Sequence, residues 1–350
     1  MKLQDLKFER STKPRSELIT ASDVAAILNL SPWQSPRDVW MRKKHSEQQP
    51  ETAAMRRGTA AEDVLDDWYV MNGYDTVPPM AHMPGLRHGD APIVGPEDWM
   101  ACSPDAICID GNDDLYLVEY KTSSQPWFKG VPAYYVEQVQ WQLRCIPRAK
   151  YAVLVAVTDM PKLLDEMLGN ENVIIRHEGQ QLMRSLLSHK MLNVQCWVIE
   201  RDHNTESHKY IKSWYDRHMV LGVEPEVSGK DLERIQSTWA ESGADKSVRA
   251  DNLKDPDKIE SLVMQLSIAE QSLEHAENLV RSIKSELLWE WSQQSKDADS
   301  ILLRSGKSIS YKLQKGRTMI DTERLRRDYP TIAAEYTKEG AAFRVLRTPK

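Results

Sequence analysis

Hydrophobic and polar positions change their spacing several times along the first part of the chain, and each change marks a predicted element. Apolar residues at 3- and 4-residue steps predict helices that begin near Ser22, as a capped start, and near Thr59. An alternating run predicts a strand over 115–121, and a continuous apolar run predicts a buried strand over 151–157. This alternation of helices and strands predicts an α/β domain over residues 1–220.

After this domain the pattern predicts an appendage. A stretch rich in glycine, proline and charge predicts a linker over 221–255, and Asp255 followed by Pro256 predicts the start of a long helix over 256–292. Residues 293–350 predict a small basic subdomain of α+β type. The helix permits self-association or a hairpin within its own chain, because its apolar residues recur at coiled-coil steps: Ile259, Leu262, Leu266, Ala269, Leu273, Ala276, Val280, Ile283 and Leu287.

The composition restricts the class of protein. At 350 residues the chain is long enough to bury one large core and to carry an appended piece. It contains no run of about 20 apolar residues, and its first residues lack the apolar run of a secretory signal. We therefore expect no membrane partner and a cytoplasmic location.

The four cysteines also bear on the expected cellular location. Cys102, Cys108, Cys145 and Cys196 show no paired spacing, which suits a reducing cytoplasm better than a disulfide framework. A four-cysteine iron–sulfur cluster is the alternative, but such a cluster usually takes two ligands from a short C-x₂-C type run. Since the sequence contains no such run, we expect Cys102 and Cys108 to be small packing residues.

The net charge of −6 is not typical of a DNA-binding protein, but its distribution is uneven. Residues 301–350 contain 12 Lys and Arg and 5 Asp and Glu, which gives a net charge of +7. The first 300 residues contain 34 basic and 47 acidic side chains, which gives a net charge of −13. A basic tail could bind phosphates or an acidic partner, or it could be a solvated subdomain, and both interpretations remain open.

Candidate chemistry lies in and beside the predicted strand over 115–121. Because side chains alternate across a strand, Glu119 and Lys121 share one face. The turn-rich segment 109–114 predicts a hairpin that returns Asp105 to the side of Glu119. Two carboxylates with a lysine can hold Mg²⁺ and orient a water towards a phosphodiester, although such charges also occur on solvated strands.

Five motifs in this order resemble the lambda exonuclease and YqaJ viral recombinase family, which belongs to the PD-(D/E)XK nucleases. The motifs lie at 15–23, 58–62, 103–105, 119–121 and 134–140, and 197–202 resembles the last core strand of the family. The resemblance spans residues 15–219. It implies a restriction-endonuclease-like core, in which helices flank a central mixed sheet, and here a long helix or coiled coil and a small α+β appendage follow.

The motifs carry the expected catalytic roles. We expect Asp105 and Glu119 to be the main Mg²⁺ ligands, with Mn²⁺ able to substitute. In similar nucleases the backbone carbonyl at the position of Tyr120 completes the metal site. Lys121 would orient or deprotonate the attacking water. To act as a general base it needs a lowered pKa, and both burial and a nearby metal ion would lower the pKa of this lysine. Glu62 would bind a second metal directly or through water, although an acid is also favoured in the first turn of any helix.

A glutamine of the helical segment 134–145 is the remaining catalytic candidate. The resemblance implies that Gln138 lies beside the scissile phosphate. Helical periodicity instead places Gln140 on the face towards the core, together with Val139 and Leu143. We therefore take Gln138 as the active-site residue and keep Gln140 as its alternative.

The resemblance also implies a pocket for a 5′-phosphate. Arg15, Ser22 and Ser103 match the positions of that pocket, and an arginine fork with hydroxyl donors binds a phosphate well. Ser22 could instead be only a helix N-cap, and Arg15 could be only a surface charge.

Two further groups of residues are candidates for contacts with DNA. The tryptophans Trp33 and Trp127 could stack on bases, or they could pack within the protein. Salt-dependent contacts to the DNA backbone could come from four basic residues, Arg37, Arg42, Lys43 and Lys44.

The expected function is that of a Mg²⁺-dependent deoxyribonuclease. The resemblance implies 5′-to-3′ exonuclease digestion of double-stranded DNA ends, which leaves 3′ single strands for an annealing protein in phage-type recombination. It also implies a bacterial host cell, a phage or prophage origin, and a trimeric ring, although the extra C-terminal residues put the ring in doubt. The alternatives are a structure-specific or single-strand endonuclease and a non-catalytic DNA-end-binding protein on a nuclease fold.

Overall fold

A computed structural model of the chain contains two units, Met1–Glu233 and Arg234–Lys350. It describes residues 6–45, 51–72, 78–85, 90–232, 235–236, 249–295, 298–312 and 320–337. The first unit contains β1 (Ile19–Thr20), α1 (Ala21–Ile27), α2 (Pro36–His45), α3 (Ala53–Asn72), β2 (Ala81–Pro84), β3 (Ile93–Val94), β4 (Met100–Cys102), β5 (Ala106–Ile109), β6 (Leu115–Thr122), α4 (Ala133–Cys145), β7 (Tyr151–Thr158), α5 (Lys162–Leu168), α6 (Val173–Ser188), β8 (Asn193–Glu200) and α7 (Glu206–Trp214).

A mixed five-stranded sheet, in the order β2-β5-β6-β7-β8, forms the centre of the first unit. Strands β6 and β7 are parallel and are joined by the crossover helix α4, whereas the other neighbours are antiparallel. A second sheet has the order β1-β4-β3, and in it β1 and β4 are parallel. The central mixed sheet with flanking helices confirms the predicted α/β fold class.

Both faces of the inner strands are buried, which explains why these strands are apolar on both sides. In β6, Leu117 faces a core that contains residues of α1, α4 and α7, and Val118 faces a second core that contains residues of α3, α5 and α6. All four cysteines are free. They are divided between the two cores, with Cys102 and Cys145 in the first, Cys108 in the second and Cys196 packed against the second.

The predicted hairpin between β5 and β6 is present. The side chain of Asp110 accepts hydrogen bonds from the amides two and four residues later, at 2.8 and 3.0 Å. Asp113 has a φ of +63°, a left-handed conformation that aspartate tolerates better than most residues. Because the register of β5 and β6 continues one position past their last pair, Asp105 lies opposite Glu119.

Helix α1 has Thr20 as its N-cap, so the prediction that Ser22 caps this helix is wrong. Asp23 accepts hydrogen bonds from the amide and the hydroxyl of Thr20, both at 2.8 Å. The buried carboxylate of Asp23 also lies 2.7 Å from Arg42 and 2.7 Å from Lys43, both on α2. Burial alone would raise the pKa of Asp23, but these two cations hold it well below its ordinary value.

The second unit contains α8 (Pro256–Gln294), β9 (Ser300–Leu302), β10 (Ser308–Ser310), α9 (Thr322–Asp328) and α10 (Pro330–Glu335). Asp255 caps α8 by accepting a hydrogen bond from the Lys258 amide at 3.1 Å. The apolar seam of α8 is largely exposed, with Leu273 60% and Ile283 55% accessible, and self-association stays a prediction. Among the described helices, none has the length and apolar character needed to cross a membrane.

The predicted domain limits also stay a prediction. Part of the expected linker belongs to the first unit, in which Ser35 Oγ donates a hydrogen bond to the buried Asp231 at 2.6 Å. Residues 237–248 of the linker and 338–350 of the basic segment lie outside the described residues.

Candidate active site

Three of the predicted catalytic residues meet where β5 begins and β6 ends. Glu119 and Lys121 lie on one face of β6, and Asp105 precedes β5 directly across from Glu119. The Tyr120 amide donates a hydrogen bond to Asp105 Oδ2 at 2.7 Å. Because a strand residue directs its N–H and C=O towards the same neighbour, the Tyr120 carbonyl also points to the side of Asp105.

Glu119 is the most enclosed carboxylate of this group, with 2% of its surface exposed. Lys121 Nζ and Gln138 Nε2 both donate to its Oε1, the latter at 2.5 Å. Gln142 Nε2 donates to its Oε2 at 2.7 Å. These three donors compensate a buried negative charge and fix the direction of both carboxylate oxygens.

Helix α4 brings two glutamines to this carboxylate. Gln138, which the resemblance favours, contacts Glu119, whereas Gln140 bonds backbone groups at the end of β8 at 2.7 and 2.9 Å. Gln140 is buried as its periodicity predicts, but it does not face the site. Sequence reasoning missed Gln142, although it follows Gln138 by four residues and therefore shares its helix face.

The pKa of Lys121 differs from the expected lowered value. Burial alone would lower it, but the carboxylates of Glu119 and Asp105 attract the ammonium and raise the pKa above its ordinary value. Nζ also lies 5.2 Å from the centroid of the Tyr135 ring, a cation–π contact. In this arrangement Lys121 is therefore an ammonium at neutral pH, which suits a role in orienting a water molecule.

The pKa of Asp105 is raised well above its ordinary value. Burial is the main cause, and the Glu119 carboxylate adds to it, while the Lys121 ammonium acts in the opposite direction. The charge of Glu62 also raises the pKa of Asp105, so this residue of α3 lies within electrostatic reach of the site. Glu62 is exposed, which makes it the outermost of the three predicted acids.

We expect the variant Asp105→Asn to be more stable than the wild type in EDTA at neutral pH. A raised pKa in the folded state means that folded protein binds more protons, so stability falls as the pH rises from the ordinary pKa of aspartate. Thermal unfolding from about pH 4 to about pH 8 should give curves that converge at low pH and separate at neutral pH. Identical pH dependence of both proteins would contradict a buried, repelled carboxylate.

Asp105, Glu119 and the Tyr120 carbonyl form a set of hard oxygen donors. Such a set fits Mg²⁺, which proteins hold through one or two carboxylates and which keeps several waters. The raised pKa of Asp105 supports this fit, because a cation would relieve the repulsion between the acids. Within the described part of the chain, no three His, Cys, Asp or Glu side chains lie close enough to hold a metal, so Glu62 stands outside this set.

A second polar cluster anchors β6 from the opposite face of the sheet. The Tyr120 hydroxyl donates to Asp66 Oδ1 at 2.7 Å, and His82 Nε2 lies 2.8 Å from the same oxygen. Asp66 follows Glu62 by four residues on α3, so the two acids share one helix face. These contacts connect α3, β2 and β6 directly behind the candidate metal ligands.

Gly85, the residue after β2, is packed against the backbone that carries Asp105. Its amide donates to the Asp105 carbonyl at 2.6 Å, and an added Cβ would lie 2.3 Å from that oxygen. Because backbone atoms block the space, Gly85→Ala must displace the segment before β5. We expect about a 10- to 100-fold slower cleavage of DNA, since small displacements of catalytic groups are costly. Gly111→Ala, with open space in the hairpin turn, is the matched control, and equal rates for both would contradict this role.

Two of the predicted 5′-phosphate residues lie at one end of the smaller sheet. Thr20 of β1 pairs with Ala101 of the parallel strand β4, and Ser22 and Ser103 each lie two residues after this pair. Ser22 is exposed, with its hydroxyl 3.1 Å from that of Thr20, and Ser103 is half-buried. Arg15 is exposed in a short 3-10 helix, and its carbonyl accepts a hydrogen bond from Lys43 at 3.0 Å.

The four basic residues expected to contact DNA are engaged within the protein. Their partners are Glu224 and the Pro225 carbonyl for Arg37, Asp23 for Arg42 and Lys43, and the Met219 carbonyl for Lys44. Each of these cations therefore already has an acceptor within the fold, and their contacts with the DNA backbone stay a prediction.

The two loop tryptophans differ in their surroundings. Trp127 packs against Tyr135 and Trp197, with ring centroids 5.4 and 5.5 Å apart, and borders the first core. Trp33 is 68% exposed, and its ring makes an edge contact with Tyr134 at a centroid distance of 5.2 Å. Packing is therefore the role of Trp127, whereas Trp33 presents its ring to solvent.

The fold and this site define a nuclease-like α/β domain, and comparison with known families agrees. Residues 12–152 match the model of the YqaJ-like viral recombinase domain, which confirms the resemblance recognised from the motifs. This part of the chain is therefore similar to the YqaJ-like viral recombinase domain. The matched range includes Glu62, Asp105, Glu119, Lys121 and Gln138.

Among solved structures, the crystal structure of SSO0001 matches at 15% sequence identity, covering 64% of this chain and 83% of that chain. Its TM-score of 0.32 is too low to carry an argument. No curated protein matches the chain significantly.

Proposed function

We propose that the protein is a Mg²⁺-dependent deoxyribonuclease that digests double-stranded DNA from 5′ ends. The observation that carries this proposal is the group of Asp105, Glu119 and Lys121, supported by Gln138, within a YqaJ-like domain. Phosphodiester hydrolysis requires a directed water and neutralisation of the charge that develops at phosphorus. Two acids, an ammonium and an amide at one strand end suit both requirements.

The metal would be held by Asp105, Glu119 and the Tyr120 carbonyl, and Mn²⁺ would substitute for Mg²⁺. The ion would supply polarisation of a phosphate oxygen and a lower pKa for a water molecule. Glu62 would hold a second ion, directly or through water, at the outer side of the site.

Lys121 and Gln138 would act on the reacting groups themselves. Since its pKa is raised, Lys121 would remain an ammonium, direct the attacking water by a hydrogen bond and offset negative charge on the phosphate oxygens. Gln138 shares Oε1 of Glu119 with Lys121, so its amide lies beside the position proposed for the scissile phosphate. Gln142 would be a positioning residue that fixes the other oxygen of Glu119.

The proposed substrate is a linear duplex with a 5′-phosphate. Arg15, Ser22 and Ser103 would bind that phosphate, and the two serines support this role by lying at one end of β1 and β4. Digestion in the 5′-to-3′ direction leaves a 3′ single strand, which a single-strand annealing protein would receive. A homo-oligomer, with a trimeric ring as the family-like form, is part of this proposal.

The test is digestion of linear duplex DNA labelled on either strand, with Mg²⁺. Parallel reactions contain 5′-hydroxyl ends or covalently closed circles. The proposal predicts loss of label from 5′-phosphorylated ends first, slower loss from 5′-hydroxyl ends and intact circles.

Other outcomes would replace the proposal by one of its alternatives. Cleaved circles would favour a structure-specific or single-strand endonuclease. Binding of DNA ends without cleavage in Mg²⁺ or Mn²⁺ would overturn the catalytic proposal and favour a DNA-end-binding protein.

A further inference from the structure

A row of aromatic rings leads from the candidate catalytic lysine to the protein surface. Lys121 Nζ lies 5.2 Å from the Tyr135 centroid, Tyr135 lies 4.4 Å from Tyr134, and Tyr134 lies 5.2 Å from Trp33. These three steps place the Trp33 ring within about 15 Å of the ammonium. The row therefore begins in the catalytic group and ends in solvent.

The outer part of this row is exposed to solvent. Trp33 is 68% exposed, whereas Trp141, on the same helix as Tyr134, is 1% exposed. Phe128 is 92% exposed in the loop that Trp127 anchors against Tyr135. Large aromatic rings normally bury most of their area. One exposed ring contacts Tyr134 and the other follows Trp127, which contacts Tyr135, so the two indicate a ligand surface beside the tyrosine pair.

The position of the row along α4 places it on one side of the catalytic group. Tyr134 lies in the first turn of α4, Gln138 and Gln142 contact Glu119, and Trp141 donates to the Ala101 carbonyl at 3.2 Å. From Tyr134 to Trp141 the helix rises about 10 Å. Glu119 therefore lies about one to two helical turns beyond Tyr134 along α4.

Charge makes a nucleic acid a better occupant than an apolar partner. The inner end of the row is the Lys121 ammonium, and the exposed Lys129 directly follows Phe128 in the sequence. Ring faces interleaved with cations suit a single strand, because bases stack on the rings while phosphates meet the cations. An apolar protein surface would have no partner for either charge.

We propose that Trp33, Tyr134 and Phe128 form a stacking site for unpaired bases of the strand that is cleaved. This inference rests on the proposed nuclease function and adds a requirement to it. The strand must separate from its complement over a few nucleotides before it reaches Glu119. Stacking is independent of base identity, since every base has a π-face, so the site imposes single-strandedness and not sequence.

Binding of a short single strand tests the stacking site independently of cleavage. The probe is a fluorescein-labelled, 5′-phosphorylated oligothymidylate, measured by anisotropy with the full-length protein in Ca²⁺, with a gel to verify that it stays intact. Trp33→Ala should weaken binding about 5- to 100-fold, the range for loss of a stacked base, and Trp33→Phe should retain most of the affinity. Trp289→Ala is the matched control, because Trp289 is 64% exposed on α8.

A probe with abasic residues at its first three positions completes the test. Wild-type affinity for this probe should fall to the level of Trp33→Ala, and the variant should bind both probes equally. Equal affinity of wild type and Trp33→Ala for the intact probe, or an equal loss with Trp289→Ala, would overturn the stacking site. A protein that binds as predicted but never cleaves DNA in Mg²⁺ would support the stacking site and refute the nuclease function.

Discussion

The variant Glu119→Gln is expected to cleave DNA at least about 1000-fold more slowly than the wild type while keeping its fold. Glu119 is the buried acid on which Lys121, Gln138 and Gln142 converge. An amide at this position removes the negative charge that a metal ion and the ammonium both require. It also turns one acceptor into a donor, which faces another donor and weakens the contacts that orient the site.

The rate is measured as nucleotides released from a 5′-phosphorylated linear duplex in Mg²⁺, and circular dichroism verifies the fold. Glu178→Gln on α6 is the matched control, because this glutamate is exposed and outside the catalytic group. The control should cleave at the wild-type rate. If Glu119→Gln retained more than about a tenth of the wild-type rate, Glu119 would not be a metal ligand or a catalytic anchor.

The variant Lys121→Met is expected to cleave DNA more slowly and to be less stable than the wild type. Loss of the ammonium removes the group that offsets charge on the phosphate, so we expect cleavage to fall about 100- to 1000-fold. It also leaves Glu119 buried with two amide donors and no cation. Breaking a buried pair by removing one partner costs about 3–5 kcal/mol, which should appear as a lower free energy of unfolding in urea.

Two further variants distinguish charge from packing at this position. Lys121→Arg keeps the positive charge but changes the donor geometry, so it should recover stability more fully than activity. Lys162→Met, at a side chain that is 89% exposed, should change neither quantity. A Lys121→Met protein with normal stability and normal cleavage would show that the contact with Glu119 has no role in the site.

The sequence predicts the hairpin of the candidate active site well because two local rules act together. Side chains alternate along β6, and the turn around Asp110 and Asp113 fixes the register that brings Asp105 opposite Glu119. Both rules depend on residues close in sequence. The long helix α8 is predictable for the same reason, since Asp255 caps it locally.

Features that depend on tertiary contacts are not predictable in this way. The engagement of Arg42 and Lys43 follows from the buried position of Asp23, about 20 residues away, which charge patterns do not reveal. The raised pKa of Lys121 likewise depends on how closely two acids approach it. Periodicity places Gln140 in the core correctly but does not tell which buried polar groups it meets.

The most direct test of the proposed nuclease site measures the release of nucleotides from a 5′-phosphorylated linear duplex under four conditions. Wild-type protein and the variant Lys121→Ala are each assayed with Mg²⁺ and with EDTA. We expect rapid release only for the wild type with Mg²⁺. Equal release by Lys121→Ala, or release by the wild type in EDTA, would contradict a metal-dependent nuclease site built on Asp105, Glu119 and Lys121.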